Sequence, residues 1–547
     1  MFLGIFIRVN RWLEQNNLLA YLIIFLICLV VFSWLQYAPV FPDPDSFYHV
    51  KLSQLMGQGG IIKSFPYQQF TILKDGYIDH HFLYHLFLVP FVTYLPSPLG
   101  GKLLQVILDS LLVLTFFWLL KKFKIRGAFW YVWLLFLGTT FIFRISLVKA
   151  QPLSIIILFL GVYLILSRRY FKLMALAFVY VWAYGGWFLL LILTLIYIFT
   201  VALNQAVKET DVGRVRKILI KTGWLKRRWL LNFVKGLING LFKADNFKLL
   251  ASVAGGLLLG VVINPYFPQN LNFYWVQIVQ IGLANYQHLI GVGAEWYPYS
   301  FPDFLKNLAV PLVLALLALV LYLDYYKKYS VAVKYLSFIF LFFLIATIKS
   351  RRNIEYLVPF CLLFVAMVFS AASQLKEVKG ALAVFRERIW QTLFIKQSVN
   401  LLLIAALVLL FANSLLGVKS SLSRGWNFNY LQAPSEYLKN NSQTGDIVFT
   451  SDWDEFTVLF YHNDKNYYLN GLDPTFMYLY NKDLYRQWRD ITEGKRSGEI
   501  YEIIKNNFRA KYVLVSQGHT AMENNLDNNF RFKRVYQDKE ATLYQVL

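Results

Sequence analysis

The sequence predicts a polytopic α-helical membrane domain followed by a soluble α/β domain, and three observations carry that expectation. Of the 547 residues, 57% are hydrophobic and 18% aromatic, more apolar surface than a water-soluble core hides. Long apolar runs alternate with short basic turns. The net charge of +23 comes from the chain before residue 420, because residues 420–547 hold 15 Lys and Arg against 16 Asp and Glu.

The first apolar run, 18–37, is long enough to cross a bilayer and lacks a following small-residue cleavage site, so it reads as a retained span. Arg8 and Arg11 before it place the N-terminus in the cytoplasm. A polar outer stretch, 39–81, follows, with amphipathic character at 48–57 and then a shorter apolar segment at 82–95, also read as outside. Further spans are expected at 101–120, 128–143, 153–166, two within 173–203 hinged at Tyr-Gly-Gly-Trp (184–187), then 249–263, 304–322, 331–348, 354–370 and 398–416. The turns at 121–126, 168–172, 208–248, 327–328 and 376–396 are basic, and 208–248 alone carries eleven Lys or Arg. Cations gathered in this way obey the positive-inside rule, so they report topology and exclude a nucleic-acid partner. With about eleven spans the C-terminus lies outside.

A second outer loop, 264–303, has no Lys or Arg and many aromatic residues, a composition suited to function. Residues 1–416 thus form the membrane domain, with outer loops 39–81 and 264–303, and residues 417–547 an extracytoplasmic domain. Strand-like runs at 446–450, 511–516, 530–536 and 542–546 alternate there with helical patterns at 434–441, 482–493 and 499–508, which suggests an α/β layer fold. Cys28 and Cys361 both fall within spans and show no metal-binding spacing.

Four outward-facing groups could carry chemistry. Asp43 and Asp45, in FPDPDSFYHV, meet water at the outer end of the first span. Pro44 drives Asp43 toward an extended conformation, so Asp45 is expected to cap the next helix and Asp43 to be the freer carboxylate. With Asp79 and His81 they offer the oxygen and imidazole ligands that suit Mg²⁺ or Mn²⁺. Glu295, a lone acid between glycines and aromatics in GVGAEWYPYS, reads as part of a movable lid. Arg351 and Arg352, in KSRRNIEYLVPF, lie at an outer span end against the trend of the other basic clusters, where they suit a lipid-linked phosphate. Arg144 and Lys149, in FRISLVKAQP, make a second outward basic pair. Trp453 and Asp454, in TSDWDEF, follow the first strand of the soluble domain, at the strand end where α/β sheets place ligands.

In this order the stretches resemble the catalytic subunit of the oligosaccharyltransferases and, more broadly, the membrane glycosyltransferases of the GT-C fold. Asp43-Pro44 with Tyr48-His49 is similar to the family's Asp-Pro followed by Tyr-Arg, whose aspartate binds a divalent metal at the transfer centre. Glu295 with Pro298 resembles the outer-loop Glu with a proline three residues on, and Arg352, Tyr356, Val358 and Pro359 match a motif whose arginine contacts the donor phosphates. The 184–187 run is similar to a Trp-Gly-Gly-Tyr run. Trp453-Asp454 resembles the end of the Trp-Trp-Asp acceptor motif, with Asp452 in place of its first Trp, and RISLVKAQPL holds none of the acidic ligands of the family's second outer turn.

The resemblance implies a transferase that moves a sugar or oligosaccharide from a polyprenyl phosphate or pyrophosphate to an extracytoplasmic acceptor, a protein in preference to a glycan. Asp43, Asp45 and Glu295 would be catalytic, a divalent metal would sit among Asp43, Asp45, Asp79 and His81, and Arg352, Arg351, Arg144, Trp453 and Asp454 would bind substrates. The same chemistry on a glycan, lipid or protein hydroxyl is a second reading. A transporter or flippase of lipid-linked glycans is a third, for which Asp109 is the clearest midspan acid.

Overall fold

The protein was analysed as a computed structural model that describes Trp12 and residues 16–210, 223–389 and 393–547. Arg8, Arg11 and parts of the basic turns 208–248 and 376–396 lie outside the described residues. The chain is an integral membrane protein. Among the described residues eight helices are long and apolar enough to cross a membrane, and a bent pair makes up to nine. Those eight fall on eight of the eleven expected spans. Two more expected spans are the shorter helices Gln151–Leu166 and Tyr170–Ala183, of 16 and 14 residues. At about 1.5 Å per residue, even the longer of them falls short of a hydrocarbon core about 30 Å thick.

The remaining expected span, 128–143, is not straight. Helix Ala128–Trp133 tightens into a 3₁₀ turn, and the chain then bends by 88° into helix α1, Thr139–Ile145. Gly138 sits at the break, pressed so closely against Val358 that a Cβ there would lie 3.0 Å from its Cγ1. The bend has a functional consequence, because it turns Thr140, Phe143 and Arg144 into a cavity.

The outer loop 39–81 is structured throughout. Strand β1, Val40–Phe41, precedes helix α2, Asp45–Gly59, whose residues Phe47, Tyr48, Val50 and Leu52 are buried. Apolar helix α3, Phe82–Tyr94, leads into α4, Ser97–Lys122, and α4 is packed against α3 and the first span. The loop 264–303 contains helix Gln269–Trp275, its π-helical continuation Val276–Ala284 and a 3₁₀ turn at Ala294–Trp296.

The last apolar helix, Leu393–Leu422, runs past Gly417. Strand β2, Trp426–Asn427, pairs antiparallel with β1, setting Phe41 opposite Trp426. The main sheet contains β3 (Ile447–Thr450), β4 (Tyr467–Tyr468), β5 (Ala510–Ser516), β6 (Phe532–Gln537) and β7 (Ala541–Val546), in the order β4-β3-β5-β7-β6. Its β3 pairs are parallel and its β7 pairs antiparallel. The four predicted strands are present, and β4 is the addition.

The two halves share secondary structure. Tyr468 N–H donates to Tyr67 O at 2.8 Å, and Gln69 and Phe70 donate back to Tyr468 O and Leu469 O at 2.8 and 2.9 Å. A segment of the first outer loop thereby extends the sheet beyond β4, the strand-addition mode that usually joins separate proteins. Helix α5, Glu455–His462, lies on α2, with Phe47 against Tyr461 and Lys51 paired to Asp464 at 3.0 Å.

Candidate active site

A cavity of about 580 Å³ opens between one end of the membrane helices and the soluble domain. Segments from both halves of the chain reach it, among them 42–49, the stretch at His80 and His81, the α1 turn, the loop around Glu295, the span end at Arg351 and Arg352, the turn after β3 and the stretch at Asp473. Most of the expected site residues, Asp43, Asp45, His81, Arg144, Glu295, Arg351, Arg352, Trp453 and Asp454, line this one space.

The first wall is the Asp-Pro-Asp segment. Asp43, and not the expected Asp45, closes the turn that opens α2, because its Oδ1 accepts the Asp45 backbone N–H at 2.9 Å. A side chain two residues ahead of a free N–H makes that turn more readily than Asp45, already inside the helix, can. Both carboxylates then converge on Lys149, whose Nζ is 2.9 Å from Asp43 and 2.8 Å from Asp45. Burial alone would lower the Lys149 pKa, but Asp43, Asp45 and Glu295 outweigh it and keep the ammonium protonated well above its usual range.

A second part of the wall is cationic. Arg144 Nη2 donates to Glu295 Oε2 at 2.9 Å, and its Nε to the fully buried Glu355 at 2.9 Å. Arg352 Nη1 stands 3.5 Å from Glu295 Oε1, with its guanidinium 4.5 Å from the centre of the Trp296 ring. Burial would raise the Glu295 pKa, yet Arg352, Arg144 and Lys149 together hold it well below the usual carboxylate range. The loop expected to move as a lid also has these contacts: Glu295 O accepts from Ser350 Oγ at 2.9 Å, and Arg351 donates to Tyr297 O and Pro298 O at 3.2 and 3.1 Å.

Behind the first wall runs a buried chain that sequence reasoning only partly reached. Asp79 Oδ2 lies 2.7 Å from His85 Nδ1, and His85 Nε2 lies 2.7 Å from His49 Nδ1. A carboxylate can only accept, so His85 donates from Nδ1 and receives the Nδ1–H of His49 at its Nε2. His49 lines the cavity, and burial together with His85 keeps it neutral, its pKa well below the ordinary value. No motif marks this chain in sequence, since His85 lies inside an apolar run.

The expected metal ligands do not assemble. Asp79 is engaged by His85 and by the His81 N–H, and the His81 ring stacks on Tyr184. Gly185, in the 184–187 run, lets that cluster close up, since a Cβ there would come within 2.8 Å of the His80 ring. Asp43 and Asp45 remain, and an ammonium already lies between them. Among the described residues no group of three His, Cys, Asp or Glu is placed to hold an ion. These residues do not fit a divalent metal, which takes several oxygen ligands at once.

From the soluble domain the β3 strand ends at Thr450 and delivers Trp453 and Asp454 to the cavity. Burial, Asp452 and Asp45 push the Asp454 carboxyl above its ordinary range. Asp452, where the related motif has a Trp, takes part in the same turn by accepting the Trp453 N–H at 2.6 Å. Asp473, which caps the helix Pro474–Tyr480, and Phe476 within it also line the space and carry no sequence signal.

No family model and no curated protein matches the chain, but solved structures do. The archaeal oligosaccharyltransferase AglB from Archaeoglobus fulgidus, in complex with an inhibitory peptide and a dolichol-phosphate, aligns at a TM-score of 0.59 with 12% identity, over 98% of this chain and 75% of that one. ArnT from Cupriavidus metallidurans aligns at 0.52 with 13% identity, over 98% of both chains. The arabinofuranosyltransferase AftD from Mycobacteria aligns at 0.54 with 11% identity, over 96% of this chain and 40% of that one. At such identities the likeness is one of fold. The chain has the GT-C fold, arranged as in the oligosaccharyltransferases.

Proposed function

We propose that this protein is a membrane glycosyltransferase that takes a sugar or oligosaccharide from a polyprenyl phosphate or pyrophosphate and passes it to an acceptor outside the cytoplasm. The observation that carries the reading is that the Asp43 and Asp45 carboxylates and the Arg352 guanidinium line one cavity. Transfer needs both. The bond from the sugar's C1 to the phosphate oxygen breaks and its electron pair stays on the phosphate, while the acceptor's nucleophile bonds to C1 and gives up a proton. Asp43 orients the nucleophile and takes that proton. Arg352 stabilises the charge that builds on the departing oxygen.

A protein acceptor is the favoured reading, in keeping with the peptide bound by AglB. The Asp452 turn supports a second one, a glycan, lipid or protein hydroxyl, because a carboxylate there offers no ring against which a peptide side chain could pack. A flippase is disfavoured by Asp109, which lies away from the cavity and is buried against Gln105 at 3.1 Å.

The test is transfer from a radiolabelled lipid-linked sugar in detergent. Asp43→Asn is expected to lower it by at least about a hundredfold, the scale of a lost general base, with the protein still folded and membrane-inserted. Wild-type rates in that variant would refute the assignment.

A further inference from the structure

The family resemblance implies a divalent ion beside Asp43, and Lys149 stands where such an ion would have to be. Its Nζ touches both carboxylates, at 2.9 and 2.8 Å, and its side chain is only 7% exposed. The turn that carries it is held in place. Lys149 N–H donates to Gln105 Oε1 at 3.2 Å, Gln105 Nε2 donates to Ile145 O, and the Gln36 amide donates to Ser146 O. Two membrane segments thus clamp the turn and aim the lysine, which is not the behaviour of a surface side chain. A divalent ion needs oxygen ligands at roughly 2.0–2.6 Å and would have to share this space with the ammonium, at a separation where like charges repel strongly. The third carboxylate it would seek, Asp79, is turned away toward His85.

We propose that Lys149 is the resident cation of this site, a positioning residue that takes the place of the metal, so that sugar transfer proceeds without a divalent ion. It offsets the repulsion between two adjacent carboxylates and holds Asp43 at the cavity wall. The inference rests on the transferase reading, but binding of a metal ion can be judged apart from turnover.

Mn²⁺ titrated into the purified full-length protein and followed by electron paramagnetic resonance is the deciding measurement. Wild type is expected to bind no stoichiometric ion and to keep its transfer rate in excess chelator. Lys149→Ala, which opens the space between the carboxylates, should gain one Mn²⁺ per chain, and adding Asp43→Asn should abolish it. Lys149→Ala should also lower transfer by at least about a hundredfold, the scale for a lost electrostatic contact, while Lys149→Arg retains part of the rate. A wild-type protein that binds one Mn²⁺ through Asp43, or stops in chelator, would overturn the proposal, as would a Lys149→Ala protein that gains no Mn²⁺. The wild-type titration needs no variant to fold. If no lipid-linked sugar is ever transferred, the transferase reading fails by itself, and the titration still decides what fills the site.

Discussion

The three outward cations of the 349–352 cluster are chemically similar and structurally different. Lys349 reaches a backbone carbonyl at Leu283, and Arg351 spans two carbonyls while lying over the Tyr299 ring, so both tie the outer loop to the span end. Arg352 makes no backbone tie of that kind: it stands 3.5 Å from Glu295, lies over the Trp296 ring and lines the cavity. Arg352→Ala is therefore expected to weaken binding of a lipid-phosphate sugar about ten- to a hundredfold, the scale for a charge-assisted contact of about 1.5–3 kcal/mol. Arg351→Ala should leave that affinity within a few-fold and lower the unfolding temperature instead. Titrating the same donor against both variants separates them. The histidine chain invites a second comparison. Because Asp79 acts on His49 only through His85, His49→Ala and His85→Ala should each slow transfer by about a hundredfold and the double variant by little more. Additive losses in that cycle would mean that the two imidazoles act independently.

At the scale of elements, the site depends on joints between the membrane domain and the soluble fold. The β1–β2 pair fixes the chain just before Asp43, and Gly425 makes that approach possible, since a Cβ there would lie 2.3 Å from Phe41 O. Gly425→Ala is expected to cost about 1–3 kcal/mol, the usual price of forcing a methyl group into packed backbone, and to make the soluble domain easier to cleave by limited proteolysis. These joints also mark where the sequence stops being legible. Strands such as Ala510–Ser516 are plain in it, because apolar β-branched runs bounded by polar residues have few other fates. Two-residue strands like Val40–Phe41 and Tyr467–Tyr468 carry no periodicity and exist only because a distant segment pairs with them. The bend near Gly138 was hidden for a related reason: residues 128–143 are as apolar as a straight span, and hydropathy does not register a turn of the helix axis. The candidate residues with local oddities, a charge where charges are rare or an acid between glycines, could be found. Lys149 could be noticed as an outward cation, but its partners lie more than a hundred residues away, and only tertiary structure brings them to it.

Across the whole molecule, the cavity is lined by both the membrane domain and the C-terminal fold, so the site works only if both face the same compartment. The basic turns predict the direction. Arg168 and Arg169 lie at the end of the membrane domain away from the cavity, and the positive-inside rule assigns that end to the cytoplasm. Sulfhydryl labelling can check this, because both native cysteines are buried and should contribute little background. Ser497, exposed on the soluble domain, and Ser167, exposed beside the basic turn, are suitable sites for single substitutions. In intact cells a membrane-impermeant maleimide is expected to modify Ser497→Cys and to spare Ser167→Cys, which should react only after the membrane is opened. The reverse pattern would put the cavity in the cytoplasm. A donor presented on the outer face would then be out of reach, and the proposed transfer outside the cell membrane would fall with it.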